Sequence, residues 1–350
     1  MKKVLVAMSG GVDSSVSAFL LKKQGYEVCG VTMCLGVKID DNSRPRCCGP
    51  SAIEDARRVA DKLGIDHYVW DFSVDLEEFV AKKFIEEYKK GRTPNPCVEC
   101  NRYLKFGKLL HQALNMGFDY LATGHYAKVE NRDGRNFLLR PRDRVKDQTY
   151  FLYPVKKEYL SAIIFPLGDY TKEEVREIAH REGISVYAKP QSQDICFIQD
   201  DYRSFVKKFI KDNPGDIIDK EGNILGRHKG ITAYTIGQRE GLGISFKHPL
   251  YVIDIKPEEN KIVVGGKEDL LSSALIAGEI NILVDELPPT AYAKIRYSAN
   301  FAKCRLQLLD DRYLKVSFEE KQTAVTPGQS VVLYDGDVVL GGGIIQKVIK

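Results

Sequence analysis

The chain has 350 residues, of which 43% are hydrophobic and 29% are charged, and its formal net charge is +4. This composition supplies a large apolar core, which excludes a disordered chain and a mini-protein that depends on disulfides. No stretch approaches the roughly 18 apolar residues of a membrane-spanning helix, and the apolar run after Met1 is too short for a signal peptide. We therefore expect a cytoplasmic protein with no membrane partner.

The first 200 residues alternate between strand and helix patterns. Apolar runs predict strands at residues 4–8, 28–33, 67–72 and 120–123. Helical spacing predicts helices that begin near residues 12, 51, 76, 104 and 171. Ser51 with Glu54, and Thr171 with Glu174, match the capping box of a helix start. This alternation predicts parallel strands joined by crossover helices, an α/β fold with a doubly wound parallel sheet.

The pattern changes after about residue 200, where glycines and short strands dominate. Alternating segments predict hairpins at residues 251–264, 306–318 and 331–340, the last around the turn dipeptide Asp335-Gly336. We therefore predict three domains: an α/β domain at residues 1–200, a small mixed domain at 201–275 and a C-terminal β-barrel-like domain at 276–350.

The segment between the first strand and the first helix has the composition of a phosphate-binding loop. It reads Ser9-Gly10-Gly11-Val12-Asp13-Ser14-Ser15. Two glycines let the backbone approach an anion, and the free amides at the helix start point at it. The serine hydroxyls add donors, and Asp13 suits a magnesium ion that bridges it to phosphate. A glycine pair alone would indicate only a tight turn, but this strand–turn–helix context favours a nucleotide site.

The same segment resembles the SGGxDS loop of the ATP pyrophosphatase family. It lacks the lysine of the Walker sequence and the glycine spacing of G-x-G-x-x-G. Members of the family transfer AMP from ATP to a carbonyl-type oxygen and release pyrophosphate. The resemblance therefore implies adenylation rather than phosphorylation or hydride transfer.

Three cysteines lie in predicted loops or at a helix start. Cys97 and Cys100 form C-x-x-C in a proline-rich loop, and Cys100 precedes a helix whose N-terminus favours a thiolate. Cys196 lies in a second loop. Zinc is disfavoured because the sequence has no second ligand pair. Reactive thiols and an iron–sulfur cluster held by three thiolates both remain open.

The other cysteines have simpler interpretations. Strand patterns around Cys29, Cys34 and Cys304 favour core or edge positions. Cys47 and Cys48 are adjacent in sequence, so they are poorly placed to bind one metal together, and their role stays open.

Seven segments then occur in a specific order along nearly the whole chain. They are the phosphate loop, Gly91–Pro96, Ala122–Tyr126, Lys146–Gln148, Ile195–Ile198, Gly237–Gly243 and Thr326–Ser330. Together they resemble the tRNA-specific 2-thiouridylase family (MnmA). The resemblance implies that ATP adenylates the carbon-2 oxygen of a tRNA wobble uridine, and that sulfur then replaces this oxygen to give 2-thiouridine.

The resemblance also implies roles for individual residues. Cys196 would carry a persulfide delivered by a sulfur relay protein, and Cys100 would attack the adenylated base or release the sulfur through a disulfide with Cys196. The implied ATP contacts are Ala7, Met8, Ser9, Gly10, Gly11, Val12, Asp13, Ser14, Met33 and Gly124. The implied tRNA contacts are Asn95, Pro96, Cys97, His125, Lys146, Asp147, Gln148, Arg296, Tyr297 and Gln329.

The chain departs from the family pattern at Cys97, where many members have Asp in Asn-Pro-Asp-x-x-Cys. A third thiol makes a second scheme possible, in which Cys97, Cys100 and Cys196 are iron–sulfur ligands rather than nucleophiles. The persulfide scheme is the preferred interpretation.

A basic run supports an RNA partner. Residues 132–146 contain six basic and two acidic residues, a local excess suited to phosphates. Two other functions stay open: a small-molecule ATP-pyrophosphatase ligase, which would not need the loop cysteines, and a non-catalytic RNA-binding protein on the same fold. Retention of the phosphate loop argues against the second.

Overall fold

The computed structural model describes residues 1–36, 50–187, 195–198 and 202–350. No helix within these ranges is both long and apolar enough to cross a membrane. The described residues form two compact units. Unit 1 comprises those of Met1–Ala81, Cys97–Gln199 and Gly336–Leu340, and unit 2 comprises those of Lys82–Pro96, Asp200–Asp335 and Gly341–Lys350.

The elements follow in chain order. The strands are β1 Lys3–Ala7, β2 Glu27–Cys34, β3 His67–Asp71, β4 Tyr120–Thr123, β5 Lys128–Arg132, β6 Arg135–Leu139, β7 Ile163–Ile164, β8 Gly215–Ile218, β9 Ile224–His228, β10 Tyr251–Lys256, β11 Lys261–Gly265, β12 Leu271–Ile282, β13 Thr290–Lys294, β14 Ala302–Leu308, β15 Leu314–Thr323, β16 Ser330–Asp335 and β17 Val338–Ile349. The α-helices are α1 Val12–Lys23, α2 Pro50–Leu63, α3 Ser73–Leu76, α4 Lys82–Lys89, α5 Pro96–Glu99, α6 Leu110–Asn115, α7 Lys172–Arg181 and α8 Tyr202–Lys207, and π-helices run over Glu77–Ala81 and Cys100–Leu109.

Unit 1 is built on a parallel sheet with the strand order β3-β2-β1-β4-β7. The side chains of Val4, Leu5 and Val6 on β1 are fully buried, and the apolar faces of α1, α2 and α7 complete this core. The doubly wound sheet expected from the alternating pattern is therefore confirmed. Strand order changes direction between β1 and β4, so a crevice opens beyond the carboxyl ends of these strands, where ligands bind in such folds.

Two details of unit 1 differ from the sequence-based expectations. Helix α2 begins at Pro50, so Ser51 lies inside the helix rather than capping it. The basic segment after β4 contains a hairpin, β5–β6, because Asp133 and Gly134 both take the positive φ of a two-residue turn. The capping box of Thr171 and Glu174 at the start of α7 is confirmed.

Unit 2 contains a mixed sheet and a closed barrel. The mixed sheet has the order β10-β11-β8-β9, in which β11 and β8 are parallel and the other pairs antiparallel. In the barrel, β12-β15-β14-β13-β16-β17 follow one another, and pairing of β12 with β17 closes the ring. The hairpins predicted at residues 251–264, 306–318 and 331–340 are strand neighbours here, so the β-barrel-like region is confirmed.

Candidate active site

The phosphate loop joins β1 to α1 at the crevice of the unit 1 sheet. The Ser9 amide donates to Ser14 Oγ at 3.1 Å, and the hydroxyls of Ser14 and Ser15 donate to the Gly11 carbonyl at 3.2 and 2.8 Å. Gly10 has φ +70°, and a Cβ there would lie 2.2 Å from the Ala52 carbonyl oxygen. The serines thus hold the loop in one shape that only glycine permits at position 10, and the amides at the start of α1 are left for a ligand.

A lysine that the sequence analysis did not single out completes this loop. Lys172 Nζ donates to Asp13 Oδ1 at 2.6 Å, and the Tyr126 hydroxyl donates to the same oxygen at 3.0 Å. The Lys172 side chain is 8% exposed and that of Asp13 is 26% exposed, so the ion pair is largely withdrawn from water. Lys172 is the first residue of α7, capped by Thr171. An ammonium group beside a phosphate loop is suited to bind the phosphates of a nucleotide.

The segment after β4 lies directly against the phosphate loop. A Cβ on Gly124 would come within 2.7 Å of the Ser14 amide nitrogen, so residue 124 must be glycine for the two backbones to approach. Met8 is held by the neighbouring strand, because its carbonyl accepts from Thr32 Oγ1 at 2.7 Å. Met33, the next residue of β2, is buried. The implied ATP contacts in the loop and at Gly124 are therefore brought together.

The cysteine pair lies at the junction of two short helical segments. Cys97 is in α5, and Cys100 is the first residue of the π-helix Cys100–Leu109. Neither cysteine is in a disulfide; Cys97 is exposed and Cys100 is buried. Burial raises the pKa of Cys100, and the nearby positive charge of Lys105 acts against this rise. Partial desolvation by the surrounding atoms also raises the pKa of Cys97, again opposed by Lys105.

His125 follows Gly124 and contacts Lys105 in the helix that begins at Cys100. Its Nδ1 is 2.7 Å from Thr123 Oγ1, its Nε2 is 3.5 Å from Lys105 Nζ, and the ring packs against Phe106 and Phe165. Burial, with a further effect of the Lys105 charge, holds the pKa of His125 well below its usual value. The imidazole is therefore neutral at physiological pH, and its two nitrogens contact Thr123 and Lys105.

Cys196 is exposed, is not in a disulfide and lies in the short described segment 195–198. Among the described residues, no three His, Cys, Asp or Glu side chains are grouped so that they could hold a metal ion. Cys97, Cys100 and Cys196 thus do not form the donor set that an iron–sulfur cluster needs, and no step is assigned to such a cluster.

Three further cysteines lie in the described residues. Cys29 and Cys304 are buried free thiols, and desolvation raises their pKa to about 11 and about 12. Cys34 is disulfide-bonded. Cys47 and Cys48 lie outside the described residues.

Most arginines of the basic run, residues 132–146, form ion pairs with carboxylates. Arg132, Arg140, Arg142 and Arg144 pair with Glu130, Asp147, Glu174 and Asp337, respectively. The charge excess of this segment is therefore a weaker argument for RNA phosphates than the sequence indicates.

Segment 146–148 is expected to contact tRNA. Two of its residues, Asp147 and Gln148, also form hydrogen bonds within the protein. Asp147 is buried and accepts hydrogen bonds from Arg140 and from Thr149. Gln148 Oε1 accepts from the Tyr126 amide at 2.8 Å. These contacts fix the segment beside Tyr126, whose hydroxyl binds Asp13.

Within unit 2, the segment Gly91–Pro96 contacts the segment Thr326–Ser330. The Thr93 amide donates to the Pro327 carbonyl at 3.0 Å, and Gln329 Nε2 donates to the Thr93 carbonyl at 2.9 Å. Arg92 anchors the same loop on Gln346 at 2.8 Å. The turn at residues 326–329 therefore fixes the loop that leads to Asn95 and Pro96.

The other unit 2 residues implied at the tRNA are Arg296 and Tyr297. The Arg296 guanidinium donates to the Ala324 carbonyl, and the Tyr297 ring is 39% exposed with Lys294 Nζ 5.6 Å from its centroid. An accessible ring beside a cation is suited to stack on a base.

The Gly328→Ala substitution is expected to loosen this loop. Gly328 has φ +91°, and its added Cβ would lie 2.9 Å from the Thr93 amide nitrogen. Gly222 has a matched φ of +92°, and a Cβ added there would have no atom within 4 Å. Gly222→Ala therefore measures only the cost of placing alanine at a positive φ. We expect urea denaturation to show a loss of about 1 kcal/mol for Gly222→Ala and about 2–4 kcal/mol for Gly328→Ala. Equal losses would contradict the close contact.

Comparison with known proteins places the chain in a family. Three family models match in order: a tRNA methyl transferase HUP domain at residues 2–200, a tRNA methyl transferase PRC-barrel domain at 203–266 and an aminomethyltransferase beta-barrel domain at 272–345. The chain is 56% identical over 348 residues to tRNA-specific 2-thiouridylase MnmA 1 of Syntrophus aciditrophicus, covering 99% of this chain and 93% of that protein. It is 50% identical to tRNA-specific 2-thiouridylase MnmA of Clostridium botulinum (strain Alaska E43 / Type E3), covering 99% of both chains. The chain therefore belongs to the tRNA-specific 2-thiouridylase family.

Proposed function

We propose that this protein forms 2-thiouridine in tRNA, using ATP to activate the wobble uridine and a cysteine-bound sulfur to replace its carbon-2 oxygen. The proposal rests on two features that occur together in unit 1. One compact unit holds a phosphate loop beside Lys172, and it holds three cysteines that are not in disulfides, Cys97, Cys100 and Cys196. A ligase that uses only ATP and a small molecule has no need of these thiols.

In the first step, the carbon-2 oxygen of uridine attacks the α-phosphorus of ATP, and pyrophosphate leaves. Oxide is a poor leaving group, whereas AMP is a good one, so this step makes the later displacement possible. The amides of the phosphate loop bind the pyrophosphate portion, and Lys172 neutralises the negative charge that develops on it. Lys172 then exchanges its contact with Asp13 for a contact with phosphate.

The phosphate loop also offers a position for a magnesium ion. Magnesium in nucleotide sites takes substrate phosphates, water and one or two carboxylates, and Asp13 supplies one carboxylate at the loop. Tyr126 and Lys172 both donate to the same carboxylate oxygen of Asp13, Oδ1. Asp13 would hold the ion, which would supply charge neutralisation of the departing pyrophosphate.

In the second step, sulfur replaces AMP. The terminal sulfur of a Cys196 persulfide attacks carbon 2, a carbon–sulfur bond forms and the bond to the AMP oxygen breaks. The Cys100 thiolate then attacks Cys196 Sγ, which breaks the sulfur–sulfur bond and leaves its electron pair on the sulfur attached to carbon 2 as the thiocarbonyl. Cys100 and Cys196 become a disulfide, which a thiol reductant must open. A persulfide-carrying sulfur relay protein reloads Cys196.

The tRNA is proposed to contact both units. Asn95, Pro96 and Cys97 would surround the target base, because they follow the loop that Gln329 and Arg92 fix. His125 and Lys146–Gln148 lie on unit 1, and Arg296, Tyr297 and Gln329 lie on unit 2.

A reconstituted reaction tests the proposed function. The protein is incubated with unmodified tRNA, ATP, magnesium and a persulfide donor, and the digested tRNA is analysed by mass spectrometry. We expect 2-thiouridine only when ATP and the donor are both present, with pyrophosphate released in proportion. Release of pyrophosphate with a small amine acceptor but without tRNA would point instead to a ligase.

A further inference from the structure

A partly buried lysine in the π-helix that begins at Cys100 has no role in the steps above. Lys105 belongs to the π-helix Cys100–Leu109, and its side chain is partly buried. Its Nζ lies 3.5 Å from His125 Nε2. The next lysine of the helix, Lys108, is solvent-exposed and bound to Asp75 at 2.7 Å. The two lysines therefore have different surroundings although they are three residues apart.

The π-helix determines where Lys105 points. In a π-helix the amide of residue i+5 bonds to the carbonyl of residue i, so residue i+5 lies one turn above residue i. The Leu110 amide shows this pattern, because it donates to the Lys105 carbonyl. Lys105 is the fifth residue after Cys100 and so follows it by one turn of this helix. In an ordinary α-helix the two side chains would be about 140° apart around the axis.

The surroundings of Lys105 consist of groups that do not cancel its charge. The titratable groups that its charge affects are Cys97 and Cys100 on its own chain segment and His125 beyond β4. His125 is neutral, since burial lowers its pKa, and Thr123 holds its other nitrogen. The described residues show no carboxylate paired with Lys105. An ammonium group placed in this way favours an anion nearby, and its charge acts to lower the pKa of both thiols.

We propose that Lys105 is a positioning residue that stabilises the sulfur anion of Cys100, with His125 fixing the orientation of its ammonium group. The inference rests on the proposed function only in making that anion the attacking group of the second step. Burial raises the pKa of Cys100 and the Lys105 charge opposes this rise, so the thiolate is more populated with Lys105 than without it. Lys105 supplies this charge without an additional protein partner.

The test measures thiol ionisation directly, without tRNA or ATP. The rate of Cys100 alkylation by iodoacetamide is followed by peptide mass spectrometry from about pH 6 up to the highest pH at which Cys29 stays protected, because burial raises the pKa of Cys100. Below the midpoint this rate is proportional to the thiolate fraction, so the variants are compared with wild type at equal pH. Thiolate absorbance that disappears in Cys100→Ser reports the same titration without a reagent. In Lys105→Gln and Lys105→Met, we expect the midpoint to rise by about one pH unit, which lowers the rate at neutral pH about tenfold. Lys105→Arg should stay within about twofold of wild type because it keeps the charge.

Two controls separate this role from a structural one. Lys108→Met removes an exposed lysine from the same helix and should leave the Cys100 profile unchanged. Cys29, a buried thiol of unit 1, reports unfolding, because it reacts only when the core opens. Lys105→Gln keeps a hydrogen-bond donor for His125 and removes only the charge. If its pH profile of Cys100 alkylation matches wild type while Cys29 stays protected, the inference is overturned. Because the assay needs no thiolation, that result leaves the proposed function standing, whereas shifted profiles in a protein that makes no 2-thiouridine would refute only the function.

Discussion

Replacement of Cys100 or Cys196 by serine is expected to abolish tRNA thiolation while tRNA-dependent pyrophosphate release continues. A serine hydroxyl forms neither a persulfide nor a disulfide, so the second step loses its sulfur carrier or its attacking thiolate. The loss should be at least about 10⁴-fold, as for removal of other catalytic nucleophiles. Adenylation uses the phosphate loop and Lys172, which neither substitution touches.

The measurement is a single-turnover reaction in which pyrophosphate and 2-thiouridine are quantified in the same sample. Cys29→Ala is the matched control, because Cys29 is also a free thiol of unit 1 but is buried and, with a pKa of about 11, is protonated at neutral pH. It should thiolate tRNA at the wild-type rate. Cys97→Ser adds a further comparison. A wild-type rate of thiolation in this variant would show that only Cys100 and Cys196 are needed for the chemistry. Appearance of 2-thiouridine with Cys100→Ser or Cys196→Ser would contradict the assignment.

Removal of the charge at Lys172 is expected to stop the reaction one step earlier. Lys172→Met should reduce pyrophosphate release by about 10²- to 10³-fold, the usual cost of losing one group that stabilises developing charge. Asp13→Asn should fall into the same range if the carboxylate holds the metal–phosphate complex. Because each single substitution leaves the other charge without its partner in a mostly buried pair, each should also cost about 3–5 kcal/mol of stability.

The double variant separates the catalytic effect from the effect on stability. Asp13→Asn combined with Lys172→Met removes both charges, so its free energy of unfolding in urea should recover toward wild type while pyrophosphate release stays low. Lys128→Met is the matched control, because Lys128 forms an exposed ion pair with Asp169 at 3.0 Å on the same unit. Recovery of pyrophosphate release together with stability in the double variant would show that Lys172 is structural.

The parts of the site that follow one another in sequence could be predicted. The phosphate loop was readable because its glycines and serines act locally, through amides and turns within a few residues. Gly124 and His125 directly follow β4, a short buried strand that pairs with β1, and their roles were implied by the family resemblance. The sheet followed from apolar runs separated by helical spacing, and its parallel order is confirmed.

The contact of Lys172 with Asp13 was not predictable in the same way. The two residues are 159 positions apart, and only the packing of α7 onto the sheet brings them together. A signal was present, however: a lysine in the first turn of a capped helix opposes the helix dipole, and such a position favours a nearby anion. Lys105 was missed for another reason, since the sequence predicted an ordinary helix and the π-helical register changes which residues share a face.

The basic run shows where composition misleads. Its charges indicated a surface for RNA phosphates, but four of its arginines pair with carboxylates, two of which, Glu174 and Asp337, come from distant segments. The hairpin β5–β6 was not predicted, because charged residues obscure the alternating pattern of its strands. Its turn, Asp133-Gly134, is a common hairpin dipeptide. The domain boundaries and the tRNA contacts of individual residues stay predictions.

The fate of the uridine oxygen tests the central claim most directly. A tRNA that carries a heavy oxygen isotope at carbon 2 of the wobble uridine is thiolated, and the products are separated by mass spectrometry. If ATP activates that oxygen, the heavy isotope must appear in the phosphate group of AMP, one atom for each 2-thiouridine formed. Heavy isotope in water or in pyrophosphate, with AMP unlabelled, would contradict the account.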